Sequence, residues 1–233
     1  MTEHARSGPY LDLLARAEAS ADVIGLVLTG SHARGLAGPD SDYDVLVVVP
    51  DERLWKPTSR SAELDEIVCT TDQLADTSDE WQRYAFRGAE ILLDRTDGEL
   101  AALVSAQATL TETEAATWAR EGLDGYVNLI YRAAKNRRAA EPVLARLEEM
   151  ESVSWLLTAL FALHGRVRPY NKYLRWELRT FPLGEPWNAD TFPERLADDP
   201  AGLFPELERL ARKAGHGDVL DAWGTELELL RRP

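Results

Sequence analysis

The pattern of apolar and polar positions predicts a chain built in two halves. In the first half, short runs of apolar and β-branched residues alternate with turn-forming segments, which is typical of β-strands. Four strands are predicted, over residues 23–28, 43–49, 64–70 and 90–94. A helix is predicted over residues 10–19, where Tyr10, Leu13, Leu14 and Ala17 recur at helical spacing. The second strand is almost continuously apolar, which indicates burial on both faces.

The second half has a helical pattern. From residue 99 to residue 163 the chain is rich in Ala, Leu, Glu and Arg at helical spacing, and two further amphipathic segments cover residues 203–214 and 218–230. Thr71, just after the third strand, is the candidate N-cap of a short helix. We therefore predict an α+β fold, with a small mixed β-sheet flanked by helices in residues 1–97 and an all-helical domain in residues 98–233.

Charge and cysteine content narrow the classes of function. The chain of 233 residues carries a net charge of -14, which makes nucleic acid an unlikely partner and suits a site that recruits a divalent cation or a cationic small molecule. The single cysteine, Cys69, excludes an intramolecular disulfide and is interpreted as a buried, inert thiol. No apolar run is long enough to span a bilayer, so we expect a cytoplasmic protein without a membrane partner.

Candidate chemistry is concentrated between the first two predicted strands. Asp42 and Asp44 are two residues apart at the start of a strand, so their side chains share one face and repel each other. A magnesium ion would offset that repulsion, since Mg²⁺ prefers oxygen ligands and completes its shell with water and substrate phosphates. Gly30 and Ser31 would offer close backbone approach, amide donors and a hydroxyl to a phosphate chain. The pattern is that of a metal site completed by a nucleoside triphosphate; the alternative is a polar turn at residues 40–44 after an ordinary loop.

The run TGSHARGLAGPDSDYDVLVVV, residues 29–49, resembles the signature of the DNA polymerase β-like nucleotidyltransferase superfamily. The resemblance implies a small mixed sheet flanked by helices, two Mg²⁺ ions, and transfer of a nucleoside monophosphate from ATP or another nucleoside triphosphate (NTP), with pyrophosphate leaving. It assigns Asp42 and Asp44 as catalytic metal ligands. The positions that it places beside the triphosphate are Gly30, Ser31, Arg34 and Ser41. The alternative for Arg34 is an arginine that stabilises the turn.

The resemblance also calls for a third carboxylate on a neighbouring strand. The candidates are Glu63, Asp65 and Glu66. We favour Asp65, which follows an apolar residue, over Glu66, which would face the opposite side of the strand. Asp65 would bind metal, act as general base, or do both, and Glu66 and Asp124 remain open as alternative bases. The remaining interpretation of this acid is a cap on a solvent-facing strand end.

Two lysines of the helical half are further candidates for triphosphate binding. Lys135 belongs to a polar helical stripe with Asp124, Asn128 and Tyr131, which is either a solvated face or a surface over the metal site. The second arrangement resembles aminoglycoside nucleotidyltransferases of the kanamycin type. Lys172 lies in GRVRPYNKYLRWEL, a basic and aromatic run similar to one in several bacterial nucleotidyltransferase-domain proteins. A helix start with surface ion pairs is the alternative there.

These features together predict a magnesium-dependent nucleotidyltransferase. It would move AMP, or another nucleoside monophosphate, onto a hydroxyl of a small-molecule acceptor, with an aminoglycoside-like antibiotic as the most specific candidate. One alternative is nucleotidylation of a protein or a tRNA end, as in toxin–antitoxin members of the superfamily. Another is a non-catalytic nucleotide-binding module with the same fold. The expected partners are the NTP and the acceptor, and the protein is expected to be a monomer or a homodimer.

Overall fold

The computed structural model describes residues 8–58 and 61–231. The chain forms two compact units, residues 1–109 and 110–233. The first combines a sheet with helices and the second is helical, which confirms the predicted α+β class. The structural division falls after the helix Glu99–Ala108, whose Leu100 and Val104 lie in a core of the first unit. Assignment of catalysis to residues 1–97 and of acceptor binding to residues 98–233 stays a prediction.

A four-stranded sheet forms the centre of the first unit. The strands are β1 (Gly25–Leu28), β2 (Tyr43–Val48), β3 (Leu64–Cys69) and β4 (Glu90–Asp94). Their spatial order is β3-β2-β1-β4, with β2 and β3 parallel and the other two pairs antiparallel. All four predicted strands are therefore present, in a mixed sheet.

The helices of the first unit are mostly short. They are α1 (Gly8–Ala19), α2 (Gly30–Ala33), α3 (Thr71–Ala75), α4 (Glu80–Arg83) and α5 (Glu99–Ala108). The predicted cap of α3 is wrong by one residue, because Thr70 rather than Thr71 is the N-cap. The Thr70 hydroxyl accepts a hydrogen bond from the Gln73 amide, and the Gln73 side chain accepts one from the Thr70 amide. This reciprocal capping box satisfies two donors that would otherwise lack partners at the start of the helix.

Apolar side chains cover both faces of β2. On one face Val45 and Val47 belong to a core with Leu13 and Ala17 of α1. On the other face Leu46 and Val48 belong to a second core, with residues of α3, α5 and the 3-10 turn at Tyr84–Phe86. The strand is therefore buried on two sides, as its continuous apolar run predicts. The polar residue Asp44 is an exception to this pattern.

The second unit is built on a long helical hairpin. Its helices are α6 (Glu112–Arg138), α7 (Pro142–Ala162), α8 (Leu174–Thr180), α9 (Phe192–Asp198), α10 (Phe204–Lys213) and α11 (Gly217–Asp221). The hairpin helices α6 and α7 approach closely at Gly122, where a Cβ atom would lie 2.6 Å from the Ala159 nitrogen. The amphipathic segment predicted over residues 218–230 is split, since a 3-10 helix at Gly224–Leu229 follows α11. In the described chain, no helix combines the length and the apolar character needed to cross a membrane.

Candidate functional site

The parallel pairing of β2 with β3 places two candidate acids opposite each other. In this register Asp44 pairs with Asp65, so their Cα atoms lie roughly 4.8 Å apart across the sheet. Directly paired residues of neighbouring strands present their side chains on the same face. The sheet therefore brings the second acid of the Asp-x-Asp run and the favoured third carboxylate to one place.

Asp42 lies just before β2, two residues from Asp44, and continued strand alternation would place both side chains on one side. Between them, Tyr43 points to the other face, where it is buried in the core with α1. Glu63, another candidate for the third carboxylate, accepts a hydrogen bond at its carbonyl from the Tyr43 amide. The acids thus form a row along the N-terminal end of the β2–β3 pair.

Glu66, the alternative third acid, lies on the opposite face of β3. It pairs with Val45 in the register, and its carboxylate accepts hydrogen bonds from the Trp55 indole and from the Thr58 amide and hydroxyl. Arg16 of α1 lies 3.6 Å from the same carboxylate, whose side chain is 3% exposed. These contacts tie Glu66 to the core with α1, away from Asp44 and Asp65.

The turn after β1 is held directly against Asp44. Gly30 adopts a left-handed φ of +68°, and a Cβ atom there would overlap Oδ2 of Asp44 and lie 2.9 Å from its carboxylate carbon. The Thr29 amide donates to the Asp44 carbonyl at 2.8 Å. Only glycine provides both this backbone conformation and room for the carboxylate. The Gly30 backbone is thus in contact with an acid of the predicted metal site.

The other residues of the turn have defined structural contacts. Ser31 is buried at 2% exposure and Ser41 accepts a hydrogen bond from the Gly38 amide. Arg34 is also buried, and its guanidinium donates to the carbonyls of Gly30, Tyr84 and Ala85. Arg34 therefore stabilises the turn in the manner of its alternative interpretation, although as a buried rather than a surface residue. Phosphate binding by these residues stays a prediction.

An aromatic stack fixes the turn to the sheet from the opposite face. The His32 ring lies on the Tyr43 ring with centroids 3.7 Å apart, and Tyr43 stacks in turn on Tyr10 of α1 at 4.0 Å. A His32 ring nitrogen lies 3.3 Å from the Ser41 carbonyl. His32 and Tyr43 thus hold the two ends of the loop between β1 and β2 together.

A cavity of about 320 Å³ continues the row of acids along the same face of the sheet. Its walls include Leu46 and Ile67, each two residues beyond Asp44 and Asp65 in its own strand, so all four side chains share that face. The polar residues that line it are Gln73, Asp76, Asp79, Gln82 and Gln107. Sequence reasoning missed this set, because the residues come from separate segments that carry no common motif.

Hydrogen bonds organise the polar wall of the cavity. Gln107 donates its amide hydrogens to the carbonyls of Leu74 and Asp76, at 2.8 and 2.7 Å. The Ser78 side chain and amide lower the pKa of Asp76 by hydrogen bonding to its carboxylate. Asp79 accepts from the amides of Trp81 and Gln82. Two carboxylates therefore line the cavity, and Gln107 is fixed to the segment that carries Asp76.

Cys69 lines the same cavity. Burial raises the pKa of its thiol to about 11, with a further contribution from the charge of Glu52. A thiol that keeps its proton is a poor nucleophile, which agrees with the predicted inert cysteine.

The helical candidates lie in the second unit. Asp124 and Lys135 are exposed on α6, where Asp124 accepts a hydrogen bond from the Trp223 indole and the Lys135 ammonium lies 5.4 Å from the Tyr131 ring. Lys172 is exposed beside Tyr173, with its ammonium 5.3 Å from that ring. The predicted polar stripe of α6 is thus a largely exposed face that contacts the C-terminal segment of its own unit. Triphosphate binding by both lysines stays a prediction.

The first unit combines a mixed sheet, an Asp-x-Asp run at the start of β2 and a glycine turn held against Asp44. Residues 13–97 match the family model of the nucleotidyltransferase domain. The match runs from α1 to just beyond β4 and covers just over a third of the 233 residues. It supports the nucleotidyltransferase superfamily, and with it a transferase activity. No curated protein matches the chain.

The paired acids meet the basic requirement of a divalent ion. Asp44 and Asp65 supply two carboxylates on one face, and Mg²⁺ commonly takes one or two protein carboxylates beside substrate phosphates. Within residues 8–58 and 61–231, no group of three or more His, Cys, Asp or Glu side chains is arranged to hold a metal ion. The pair therefore fits a site completed by substrate, and the three-carboxylate cage stays a prediction.

Proposed function

We propose that the protein is a magnesium-dependent nucleotidyltransferase that moves a nucleoside monophosphate, AMP by preference, from an NTP to a hydroxyl of a small-molecule acceptor. One observation carries this proposal. Asp44 and Asp65 pair across parallel strands beside the Gly30 backbone, within the stretch that matches the nucleotidyltransferase domain. Fold alone would not support an activity, and the specific feature that supports this one is the pair of acids beside Gly30.

Asp42, Asp44 and Asp65 would hold two magnesium ions together with the triphosphate. When bound, such ions neutralise the phosphate oxygens and stabilise the charge that develops during in-line displacement. The Gly30 backbone keeps Asp44 in place, and Ser31 and Ser41 lie in the same turn. Lys135 and Lys172 are proposed to contribute positive charge to the triphosphate.

Asp65 is the proposed general base. Its carboxylate would accept the proton of the acceptor hydroxyl while that oxygen attacks the α-phosphorus. The bond from the α-phosphorus to the bridging oxygen breaks, and pyrophosphate leaves with the negative charge. Glu66 is unsuited to this task because it is buried on the other face of β3, and Asp124 contacts Trp223 in the second unit.

The cavity beside the acids suits an acceptor that carries both hydroxyls and amines. Asp76 and Asp79 would attract cationic groups, and the glutamine side chains offer donors and acceptors to hydroxyls. An aminoglycoside-like molecule has this chemistry. The alternative acceptor, a tRNA end, needs a free basic surface, but Arg166, Arg175 and Arg179 all form ion pairs. These three charges are neutralised locally, and the net charge of -14 further disfavours a nucleic acid.

The direct experiment incubates the protein with each α-labelled NTP, Mg²⁺ and a panel of acceptors. Wild type is expected to transfer label to a hydroxylated amine, and Asp44→Asn to transfer none. Asp40→Asn is the matched control, since Asp40 is an exposed acid of the same loop. Label on protein or RNA would replace the proposed acceptor with a macromolecule. Absence of transfer from every NTP would leave a non-catalytic nucleotide-binding module.

A further inference from the structure

Arg168 in the second unit is a cation that has no ion pair and only one hydrogen bond among the described residues. It lies between the buried residues Val167 and Pro169 and is itself half-buried. Its guanidinium makes one hydrogen bond in the described chain, from Nη2 to the side-chain oxygen of Asn171 at 3.5 Å. Its Nε is buried without an acceptor among the described residues. That one bond lies at the outer limit of hydrogen-bond distance, so it offsets little of the cost of burial.

A guanidinium that is partly buried requires a counter-charge or good acceptors for its buried N–H groups. Burial lowers the pKa of Arg168, but an arginine stays protonated at any physiological pH. The group therefore cannot escape its desolvation by losing a proton, as a buried lysine or carboxylate can. A partially dehydrated positive charge of this kind is stabilised when an anion binds to it.

The other arginines of the same unit show how unusual this is. Four arginines in its described part are half-buried, namely Arg166, Arg168, Arg175 and Arg195. Three of them face carboxylates, of Glu177, Glu194 and Glu206 respectively. The arginines of this unit that have no ion pair in the described chain, Arg138 and Arg209, are exposed, so water solvates them. Among the described arginines of the second unit, Arg168 alone is half-buried without an ion pair.

A second cation lies four residues further along the chain. Lys172 directly follows Asn171, the residue that Arg168 contacts, and its ammonium is exposed near the Tyr173 ring. Within the described chain no carboxylate lies within ion-pair distance of this ammonium. The segment thus presents a planar guanidinium and a mobile point charge, which are the two cationic groups that proteins use to bind phosphate oxygens.

We propose that Arg168 and Lys172 form a binding site for phosphate oxygens, occupied by the triphosphate of the NTP or by the pyrophosphate product. The assignment of the ligand to the nucleotide rests on the proposed function. The Nη atoms of Arg168 would engage the anion, since Nε is buried. Lys172 is already a candidate for the triphosphate, and Arg168 adds a half-buried charge that has no ion pair in the described chain.

The test measures binding to the full chain by titration calorimetry, with a non-hydrolysable ATP analogue and with inorganic pyrophosphate as separate ligands. Arg168→Gln is expected to weaken binding by about tenfold or more, as expected for loss of a charge-assisted hydrogen bond. Arg168→Lys, which keeps the charge without the fork, should lose less. Arg209→Gln, which removes one exposed positive charge, should bind both ligands as wild type does.

Thermal unfolding without ligand separates this role from a structural one. Without ligand, Arg168→Gln should have the Tm of wild type or a higher one, because the variant removes a partly buried charge that has no ion pair. With pyrophosphate added, the Tm of wild type should rise more than that of Arg168→Gln. A lower Tm in Arg168→Gln with unchanged affinity for both ligands would overturn the proposal. Loss of pyrophosphate binding alone would assign the site to the product. Asp44→Asn should still show pyrophosphate binding that depends on Arg168. Wild-type protein that binds pyrophosphate but transfers no label would therefore refute the proposed function and leave this site intact.

Discussion

The carboxylate of Asp44 lies against the backbone of Gly30, so close that a Cβ atom at residue 30 would overlap Oδ2. Gly30 also has a left-handed φ of +68°. The turn after β1 and the acid of β2 are thus fitted to each other, and neither can move without disturbing the other. This contact places a flexible-looking glycine turn in a fixed position beside the proposed metal ligands.

Gly30→Ala is expected to reduce turnover by about 100-fold, because displacement of Asp44 by about 1 Å would misplace the reacting groups. The left-handed backbone adds about 1–2 kcal/mol of destabilisation. Steady-state kinetics and urea unfolding would measure the two effects. The matched control is Gly35→Ala, since Gly35 has φ of +67° but a Cβ atom there would meet nothing within 4 Å. Equal losses of turnover in both variants would show that the contact with Asp44 has no role.

Asp65→Asn and Glu66→Gln should have opposite consequences, because the two acids face different sides of β3. Asp65→Asn should abolish nucleotidyl transfer at a temperature where the variant remains folded. Glu66→Gln should retain transfer but lose about 1–3 kcal/mol of stability, since it weakens the hydrogen bonds to Trp55 and Thr58 and the Arg16 ion pair.

Activity and thermal unfolding of both variants provide the check. A Glu66→Gln variant that is stable but inactive would move the third carboxylate to the other face of the sheet. An Asp65→Asn variant that still transfers label would reject Asp65 as the general base.

The alkylation rate of Cys69 can be used to probe the cavity, because this residue lines it. Its thiol pKa of about 11 means that the proton is retained at neutral pH, so the thiolate fraction should rise about tenfold per pH unit between pH 7 and pH 10. Alkylation of the native protein at pH 7 should be roughly 100-fold slower than that of the unfolded chain. Mass spectrometry would follow the modification, with Cys69→Ser as the control for specificity.

An acceptor that occupies the cavity should slow the alkylation of Cys69 further. Protection by the acceptor, but not by the ATP analogue alone, would support acceptor binding in the cavity lined by Gln73, Asp76 and Gln107. Unchanged alkylation in the presence of a saturating acceptor that is turned over would exclude the cavity as its binding site.

The sequence contains most of the information needed for the sheet and for the row of acids. Each strand is marked by its own apolar run, and the preference for Asp65 over Glu66 follows from the two-residue period of a strand. In the structure, Asp44 pairs with Asp65 and Val45 with Glu66, so Asp65 shares the face of Asp44. The predicted N-cap of α3 is wrong by one residue, because two adjacent threonines, Thr70 and Thr71, are equally good caps by residue type.

Other features depend on tertiary packing and could not be predicted. The position of Arg34 against the carbonyls of Tyr84 and Ala85 joins residues about fifty positions apart. The cavity wall is assembled from glutamines and aspartates of separate segments that have no shared motif. The lack of an ion pair at the half-buried Arg168 is recognisable only in the structure, where Arg166 pairs with Glu177 and Arg168 Nε has no acceptor among the described residues. Local patterns determine elements, whereas partners across the fold determine which polar residues remain uncompensated.

In the proposed site, acids from β2 and β3 act together on one divalent ion beside a nucleotide. The most direct measurement is the affinity for Mn²⁺, followed by electron paramagnetic resonance in the presence of a non-hydrolysable ATP analogue. We expect Asp44→Asn and Asp65→Asn each to weaken Mn²⁺ binding by about 10- to 100-fold, and Asp40→Asn to leave it unchanged. Mn²⁺ affinity equal to that of wild type in both strand variants would contradict this proposal.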